Sequence, residues 1–557
     1  MTGGADTNFR WAWTLLDALA ARGLRRAVLS PGSRSTPLAL AALRHPGIDA
    51  RVVLDERSAA FFALGMAKAE GVPVAVIATS GSAVANWYPA VVEADMARVP
   101  LLLLSADRPP ELQDCGANQT MSQVALFGDH VRAFHQLPPA DDSRAWLPGL
   151  AARLLMRALG PLPGPVHVNI PLREPLVPSA PVPPDSEPPP IRLTGALAPS
   201  AGTVTTLASE LSGRRGIILC GPDNLGDGFR AAVAALAVRL GVPVLADALS
   251  GLRFSGSGPE LILAHPESTL RDAPKAEWVL RFGGMPISRA AADYLTRCRG
   301  RPQIVVTGHG RPADPVGTAT HLAEVDPGLL CDALTGLTPA PSAWSADWLA
   351  RDCGVATLAA QACEGEAPFE GSVLRTLAAA LPEDTALFLG NSLTVRAADW
   401  FAGRGQRRLG LFGNRGVSGI DGNLSTAFGI AAMRGPTVAV VGDLTFLHDV
   451  GGLALARTAD MVILVLDNGG GGIFDHLAQA ELPEFEAGWL TPQRVEMEAI
   501  ARGYHLDYVV AETVGAAAAA VLAGLESGQT LVVRMPVDRT LSTTRIRSFL
   551  AACKQGA

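Results

Sequence analysis

Continuous apolar runs, rather than alternating ones, set the frame of this chain. Residues 461–466 (MVILVL) and 437–441 (TVAVV) show no polar residue at every second position. That is the pattern of a strand covered on both faces in a parallel sheet. Residues 71–81 (GVPVAVIATSG) and 99–107 (VPLLLLSAD) hold runs of the same kind. At 51–55 (RVVLD) a strand leads into a very apolar helix, 58–67 (SAAFFALGMA). The opening stretch, MTGGADTNFRWAWTLLDALAARG, predicts an amphipathic helix closed by Gly23. Short apolar strands alternate with Ala/Leu-rich helices along the whole chain, which predicts an α/β protein of doubly wound parallel sheets.

Two composition breaks divide the pattern. Residues 174–190 (EPLVPSAPVPPDSEPPP) are crowded with proline and predict a semi-rigid spacer, and 336–347 (GLTPAPSAWSAD) form a weaker break. Three domains are therefore expected, over 1–185, 191–338 and 345–557. The first and third echo one another. In the first, GVPVAVIATSG is followed by ADM at 94–96 and the strand VPLLLLSAD; in the third, RGPTVAVVGDL is followed by ADM at 459–461 and MVILVLDN.

Composition removes several function classes. The chain has 557 residues and a formal net charge of −7, which argues against nucleic acid as a partner. Its seven cysteines form no CxxC pair, so a reduced, cytoplasmic protein without structural zinc is expected. The Ala-rich tract at 516–525 is too short and too weakly apolar to span a bilayer, and no integral membrane segment is expected.

The chemistry concentrates where the buried strands end. Residues 466–474 read LDNGGGGIF, and four consecutive glycines are costly to order. A flexible linker would tolerate them, but the buried strand just before them favours a close backbone approach to a ligand at the carboxyl edge of a sheet. Asp443 and Asn468 close successive strands of that sheet. A carboxylate, an amide oxygen and a backbone carbonyl of the glycine run make a hard-oxygen half-shell that suits magnesium when phosphates complete it. No GxxxxGK followed by Ser or Thr occurs, and GGGGIF lacks GxGxxG spacing.

Gly442-Asp443 followed by Asn468 resembles the diphosphate and metal motif of thiamine diphosphate enzymes, with GDL in place of the commoner GDG. The segments 30–36 (SPGSRST), 55–68 (DERSAAFFALGMAK), 79–94 (TSGSAVANWYPAVVEA), 105–120 (SADRPPELQDCGANQT) and 414–426 (NRGVSGIDGNLST) occur in order. Together they closely resemble the 2-succinyl-5-enolpyruvyl-6-hydroxy-3-cyclohexene-1-carboxylate synthase family of menaquinone biosynthesis, in which GDL is usual. The resemblance is dense in the first and third domains and thin in the middle one. It implies a thiamine diphosphate-binding fold with a pyrimidine-binding first domain and a diphosphate-binding third domain. It also implies a transferase that decarboxylates 2-oxoglutarate and adds the product to isochorismate, and a homodimer or dimer of dimers in which the cofactor bridges two subunits.

The same resemblance assigns roles residue by residue. Glu56 is implied to hydrogen-bond the cofactor's aminopyrimidine, a task that suits a partly buried carboxyl group. A Glu at a helix start is otherwise more often a dipole-stabilised surface acid. Gly442, Asp443, Asn468, Gly470, Ser418 and Ile420 are implied around the cofactor, with Asp443, Asn468 and Gly470 on a magnesium or manganese ion. Both substrates carry two carboxylates, which arginine grips in a bidentate fork. Arg34 and Arg108 are implied for isochorismate and Arg396 and Arg415 for 2-oxoglutarate. Arg289 matches more loosely, at a position that can be lysine. Singly, each arginine could make a weak surface ion pair; four in Gly/Ser-rich loops point to anionic ligands. Ser33, Asn118, Gln119 and Ser392 are the implied polar partners, and Ile473 and Phe474 apolar walls, though core packing would equally want the last two. Two readings compete with this one: another thiamine diphosphate enzyme, which the SPGSRST and GANQT pair disfavours, and a noncatalytic scaffold, which the joint presence of Glu56, Asp443 and Asn468 disfavours.

Overall fold

The computed structural model describes residues 4–179, 188–223, 225–256 and 258–556, so the proline-rich spacer lies partly outside the described residues. Three parallel sheets form among them. The first contains β1 (Arg26–Leu29), β2 (Asp49–Val52), β3 (Val74–Ala78), β4 (Leu101–Asp107), β5 (Phe134–Gln136) and β6 (Val166–Pro171), in the order β2-β1-β3-β4-β6-β5. The second contains β7 (Gly216–Cys220), β8 (Val244–Ala246), β9 (Trp278–Phe282), β10 (Gln303–Thr307) and β11 (His321–Glu324), in the order β11-β10-β9-β7-β8. The third contains β12 (Ala386–Leu389), β13 (Gly410–Phe412), β14 (Thr437–Gly442), β15 (Val462–Asp467), β16 (Asp507–Val510) and β17 (Leu531–Pro536), in the order β13-β12-β14-β15-β17-β16.

The continuous apolar runs became the inner strands. Every residue of β3, β4 and β6 is buried, whereas the edge strand β2 is exposed at both ends. Renumbered from its first strand, the third sheet repeats the order of the first, so the sequence echo falls on equivalent pairs, β3–β4 and β14–β15. In both sheets the first and third strands are neighbours and the chain reverses its direction of growth there. That switch point is where α/β sheets open a crevice at their carboxyl edge.

The described chain forms two compact units, which do not follow the three sheets one for one. One unit holds the chain up to Thr194 with Asn414–Gly435 and His448–Asp460; the other holds Gly195–Gly413, Pro436–Leu447 and the chain from Met461 onward. Glycine explains the first insertion. The helix Asn423–Arg434 lies against the helix Glu56–Glu70, and a Cβ on Gly65 would lie 2.0 Å from the Thr426 carbonyl oxygen. A Cβ on Gly429 would lie 2.1 Å from the Phe62 carbonyl oxygen, so the two backbones approach as only glycine allows.

The N-terminal helix runs Gly4–Ala20, burying Phe9, Trp11, Leu15, Leu16 and Leu19, and Gly23 follows at φ +109°. The link from β14 to β15 is not one continuous helix. A short α-helix, Asp443–His448, gives way to a 3-10 helix, Val450–Arg457. Its Gly451-Gly452 pair weakens α-helix, and a Cβ on Gly452 would lie 2.6 Å from Ser425 Oγ.

Candidate active site

In the first unit, the loops after β3 and β4 bring Arg108 and Gln119 onto one buried serine. Ser80 accepts a short hydrogen bond from the Arg108 guanidinium and donates to the Gln119 carbonyl at 3.0 Å. The Gln119 side-chain amide returns to the Ser80 carbonyl at 3.0 Å. Gln123, fully buried, accepts from the Gly81 N–H at 2.9 Å and donates to Asn169 Oδ1 at 2.7 Å. Asn169 donates in turn to Asp107 at 2.7 Å. Burial, then the neighbouring Arg34 charge, lowers the Arg108 pKa. Arg34 is itself buried: it donates to the Leu172 carbonyl at 2.9 Å and pairs with Glu174 at 3.0 Å, while its Nε–H is enclosed without a partner. Ser33 and Asn118 are exposed beside these groups in sequence.

Glu56 is the first residue of its helix and is half-buried, with Asp55 capping the helix through the Ser58 N–H at 2.8 Å. Arg415, Ser418 and Ile420 lie on the loop that enters the first unit ahead of the Asn423–Arg434 helix. Gln119 (φ 54°), Ser418 (φ 63°) and Ser392 (φ 74°) all hold left-handed backbone conformations that non-glycine residues seldom adopt, a form of strain that gathers at functional sites.

In the second unit, Asp443 and Asn468 follow the adjacent strands β14 and β15, in which Gly442 pairs with Leu466. Asp443 is buried, and burial, then the Asp467 charge, pushes its carboxyl up to about 7 against the pull of the Leu444 and Gly470 N–H groups. Asn468 donates its amide to Glu370 Oε1 at 3.1 Å, which leaves its Oδ1 enclosed without a partner. Glu370 is fixed on its other oxygen by a short bond from the Ser542 hydroxyl. The glycine run has mixed causes. Cβ atoms on Gly470 and Gly471 would meet the Leu490 and Trp489 carbonyls at 2.1 and 2.4 Å, and one on Gly472 the Asn468 amide at 2.7 Å. Gly469 and Gly442 face open space.

Ser392 stands just ahead of the Leu393–Phe401 helix without a side-chain capping bond, and its carbonyl accepts from Arg396 at 2.7 Å. Burial lowers the Arg396 pKa, against the charge of Glu267. Ile473 packs on the core of the third sheet, and Phe474 is half-buried. Arg289 stands apart: its side chain is 92% exposed, 3.9 Å from Asp293.

The third-sheet edge fits a metal-bound diphosphate. An enclosed, unpaired amide oxygen beside a buried carboxylate with a raised pKa suits a hard cation, and Gly442 leaves room that no protein atom fills. Among the described residues no group of three or more His, Cys, Asp or Glu could hold a metal alone. Motif reading did not single out Ser80, Gln123, Lys68, Glu93 or Glu370. Three of them sit inside quoted motifs, yet their partners are remote in sequence.

Three family models together cover most of the chain. Residues 10–126 match the thiamine pyrophosphate enzyme N-terminal TPP binding domain, 199–389 the middle domain of thiamine pyrophosphate enzymes, and 396–535 the C-terminal TPP binding domain. The chain is 44% identical to the 2-succinyl-5-enolpyruvyl-6-hydroxy-3-cyclohexene-1-carboxylate synthase of Dechloromonas aromatica, over 91% of this chain and 94% of that protein. It is 39% identical to the synthase of the same name from Roseiflexus castenholzii, over 99% of each chain. It is 43% identical to the one from Geobacillus kaustophilus, over 86% and 85%.

Proposed function

Because this chain belongs to the 2-succinyl-5-enolpyruvyl-6-hydroxy-3-cyclohexene-1-carboxylate synthase family of thiamine pyrophosphate enzymes, we propose that it decarboxylates 2-oxoglutarate and joins the remaining four-carbon unit to isochorismate, releasing carbon dioxide. It is a thiamine diphosphate-dependent transferase of menaquinone biosynthesis. When bound, the cofactor supplies the electron sink that decarboxylation needs; the protein supplies position and electrostatics.

The observation that carries the cofactor reading is the enclosed, unpaired Asn468 Oδ1 beside Asp443. In this reading Asp443, Asn468 and the Gly470 carbonyl hold magnesium or manganese, Gly442, Ser418 and Ile420 line the cofactor, and Glu56 shares a proton with its aminopyrimidine. Arg396, Arg415 and Ser392 receive the distal carboxylate of 2-oxoglutarate. Arg34 and Arg108 receive isochorismate, which the unpaired Arg34 Nε–H supports, while Ser33, Asn118 and Gln119 orient it. Ile473 and Phe474 keep water from the reacting carbon. Arg289 has the support of the resemblance alone.

A cytoplasmic homodimer, or a dimer of such dimers, is the proposed assembly, with Glu56 of one subunit and Asp443 of the partner subunit serving one cofactor. No helix among the described residues is long and apolar enough to cross a membrane, and the seven cysteines are free thiols. Co-expressing Glu56→Gln and Asp443→Ala chains should restore up to about half of wild-type activity per mixed dimer, since one of two symmetric sites escapes both defects. No rescue in a verified mixed dimer would place both residues in a single-chain site. The activity itself is tested by incubating the protein with 2-oxoglutarate, isochorismate, thiamine diphosphate and magnesium. Carbon dioxide should appear as isochorismate disappears, and carbon dioxide without loss of isochorismate would reject the proposed reaction.

A further inference from the structure

A buried ion pair in the first unit has no part in the chemistry described above. Lys68 occupies the last turn of the Glu56–Glu70 helix, and Glu93 lies on the helix Tyr88–Met96, only 2% exposed. The Lys68 ammonium lies 3.2 Å from Glu93 Oε1 and donates to Asn414 Oδ1 at 2.9 Å. Burying such a pair seldom stabilises a fold more than apolar side chains of the same volume would. What apolar side chains could not do is what Glu93 does next. Its Oε1 accepts the Gly416 N–H at 2.9 Å, and its Oε2 accepts the Val417 N–H at 2.8 Å.

Two successive backbone amides on the two oxygens of one carboxylate fix both the height and the tilt of a loop, because charge-assisted bonds are short and directional. The loop is also pressed onto its anchor. A Cβ on Gly416 would lie 2.6 Å from the Glu93 carbonyl oxygen and 3.0 Å from the Ala97 nitrogen. Upstream, Asn414 is held by Lys68 and donates to the Thr426 hydroxyl at 2.9 Å, which in turn donates to the Gly422 carbonyl at 2.8 Å. Every fixed point thus brackets Arg415 or the left-handed Ser418. Burial lowers the Lys68 pKa against the raising charge of Glu93, and the Arg415 charge lowers it further, so the loop's cation stands within electrostatic reach of its own anchor.

We propose that Lys68 and Glu93 are positioning residues: Glu93 holds the 416–417 amides so that Arg415 is aimed at a substrate carboxylate, and Lys68 neutralises Glu93 and secures Asn414. The proposal rests on the reading of Arg415 as a ligand of 2-oxoglutarate, and the test separates the two. In Glu93→Gln one amide N–H loses its acceptor. The KM for 2-oxoglutarate should rise about tenfold or more, while that for isochorismate stays within about twofold. Lys68→Met leaves a buried carboxylate unpaired and should lower Tm. Lys68→Met/Glu93→Gln should recover most of that Tm yet keep the raised KM, a split that a purely stabilising pair would not show. Adding Glu93→Gln to Arg415→Ala should raise the KM no further, because the positioned group is already gone. A raised KM in Arg415→Ala beside an unchanged one in Glu93→Gln would overturn this proposal alone. An unchanged KM in Arg415→Ala would overturn the reading of Arg415, and this proposal with it.

Discussion

The carboxyl edges of the first and third sheets rest on one strand order and opposite chemistry. At the ends of β3 and β4 stand Ser80, Asp107 and Arg108, with Arg34 close enough to lower the Arg108 pKa. The foundation there is a neutral relay through Gln123, Asn169, Ser105 and His167, joined by bonds of 2.7 and 2.8 Å. At the ends of the equivalent strands β14 and β15 stand Asp443, Asp467 and Asn468, the last braced by Glu370. One edge carries Arg34 and Arg108 around Asp107, and the other carries two carboxylates and an unpaired amide oxygen. A shared scaffold therefore fixes where a site lies, while a few residues past each strand fix its charge and thus its ligand.

The sharpest way to break this contrast is Asp443→Ala. It should abolish magnesium-dependent thiamine diphosphate binding, measured by calorimetry, while circular dichroism shows an intact fold. Unchanged magnesium dependence would remove the third edge from the cofactor.

The next effect divides the arginines. Arg34→Ala or Arg108→Ala should mainly weaken use of isochorismate, and Arg396→Ala or Arg415→Ala use of 2-oxoglutarate. Each should lose on the order of 2–5 kcal/mol in kcat/KM for the affected substrate, as a buried charge left without its partner does. Equal losses on both substrates for all four would end the division.

Glu370→Leu probes the brace beneath the acidic edge. Without its acceptor, the Asn468 amide loses the bond that orients it, and with it the orientation of Oδ1 that the proposed metal site needs. Outer-shell partners of this sort are worth about 10–100-fold in metal affinity. Magnesium titration of the cofactor-bound protein, followed by tryptophan fluorescence, should show that weakening with a smaller change in the cofactor's own affinity.

The smallest effect belongs to the neutral relay. His167 is buried between Phe127 and Phe134, and burial lowers its pKa to about 3 from an ordinary 6.5. Its folded pKa lies below its unfolded one, so its neutral form favours the native state above pH 6.5 and that advantage is lost as pH falls toward 3. From pH 6 to pH 5 the loss from this one group is about 1 kcal/mol. His167→Phe should flatten that part of the acid limb in urea unfolding, and an identical pH slope would show that His167 is not buried neutral.

Much of this is legible in the sequence alone. Runs such as VAVIA and VILVL mark inner strands because a residue buried on both faces leaves no polar position to alternate with. The echo between β3–β4 and β14–β15 anticipated the repeated strand order. The motifs named Arg34, Arg108, Asp443 and Asn468. The residues that hold the site loops were not legible, since Glu93 meets the amides of Gly416 and Val417, and Glu370 meets Asn468 and Ser542. No local periodicity encodes a bond that spans hundreds of residues.

The glycine run shows where the boundary falls. Sequence by itself determined that four glycines stand at 469–472 and that they follow a buried strand, because backbone freedom and hydrophobic period are local properties. Only the tertiary structure decided what each glycine yields to: Gly470 and Gly471 to the carbonyls of Leu490 and Trp489, Gly472 to the Asn468 amide, and Gly469 to open space. It likewise decided that the helix after the NRGVSG loop packs on the Glu56–Glu70 helix, through Gly65 and Gly429. Steric contact depends on which distant backbones the packed core brings within about 3 Å, and that follows from the three-dimensional fold rather than from neighbours along the chain.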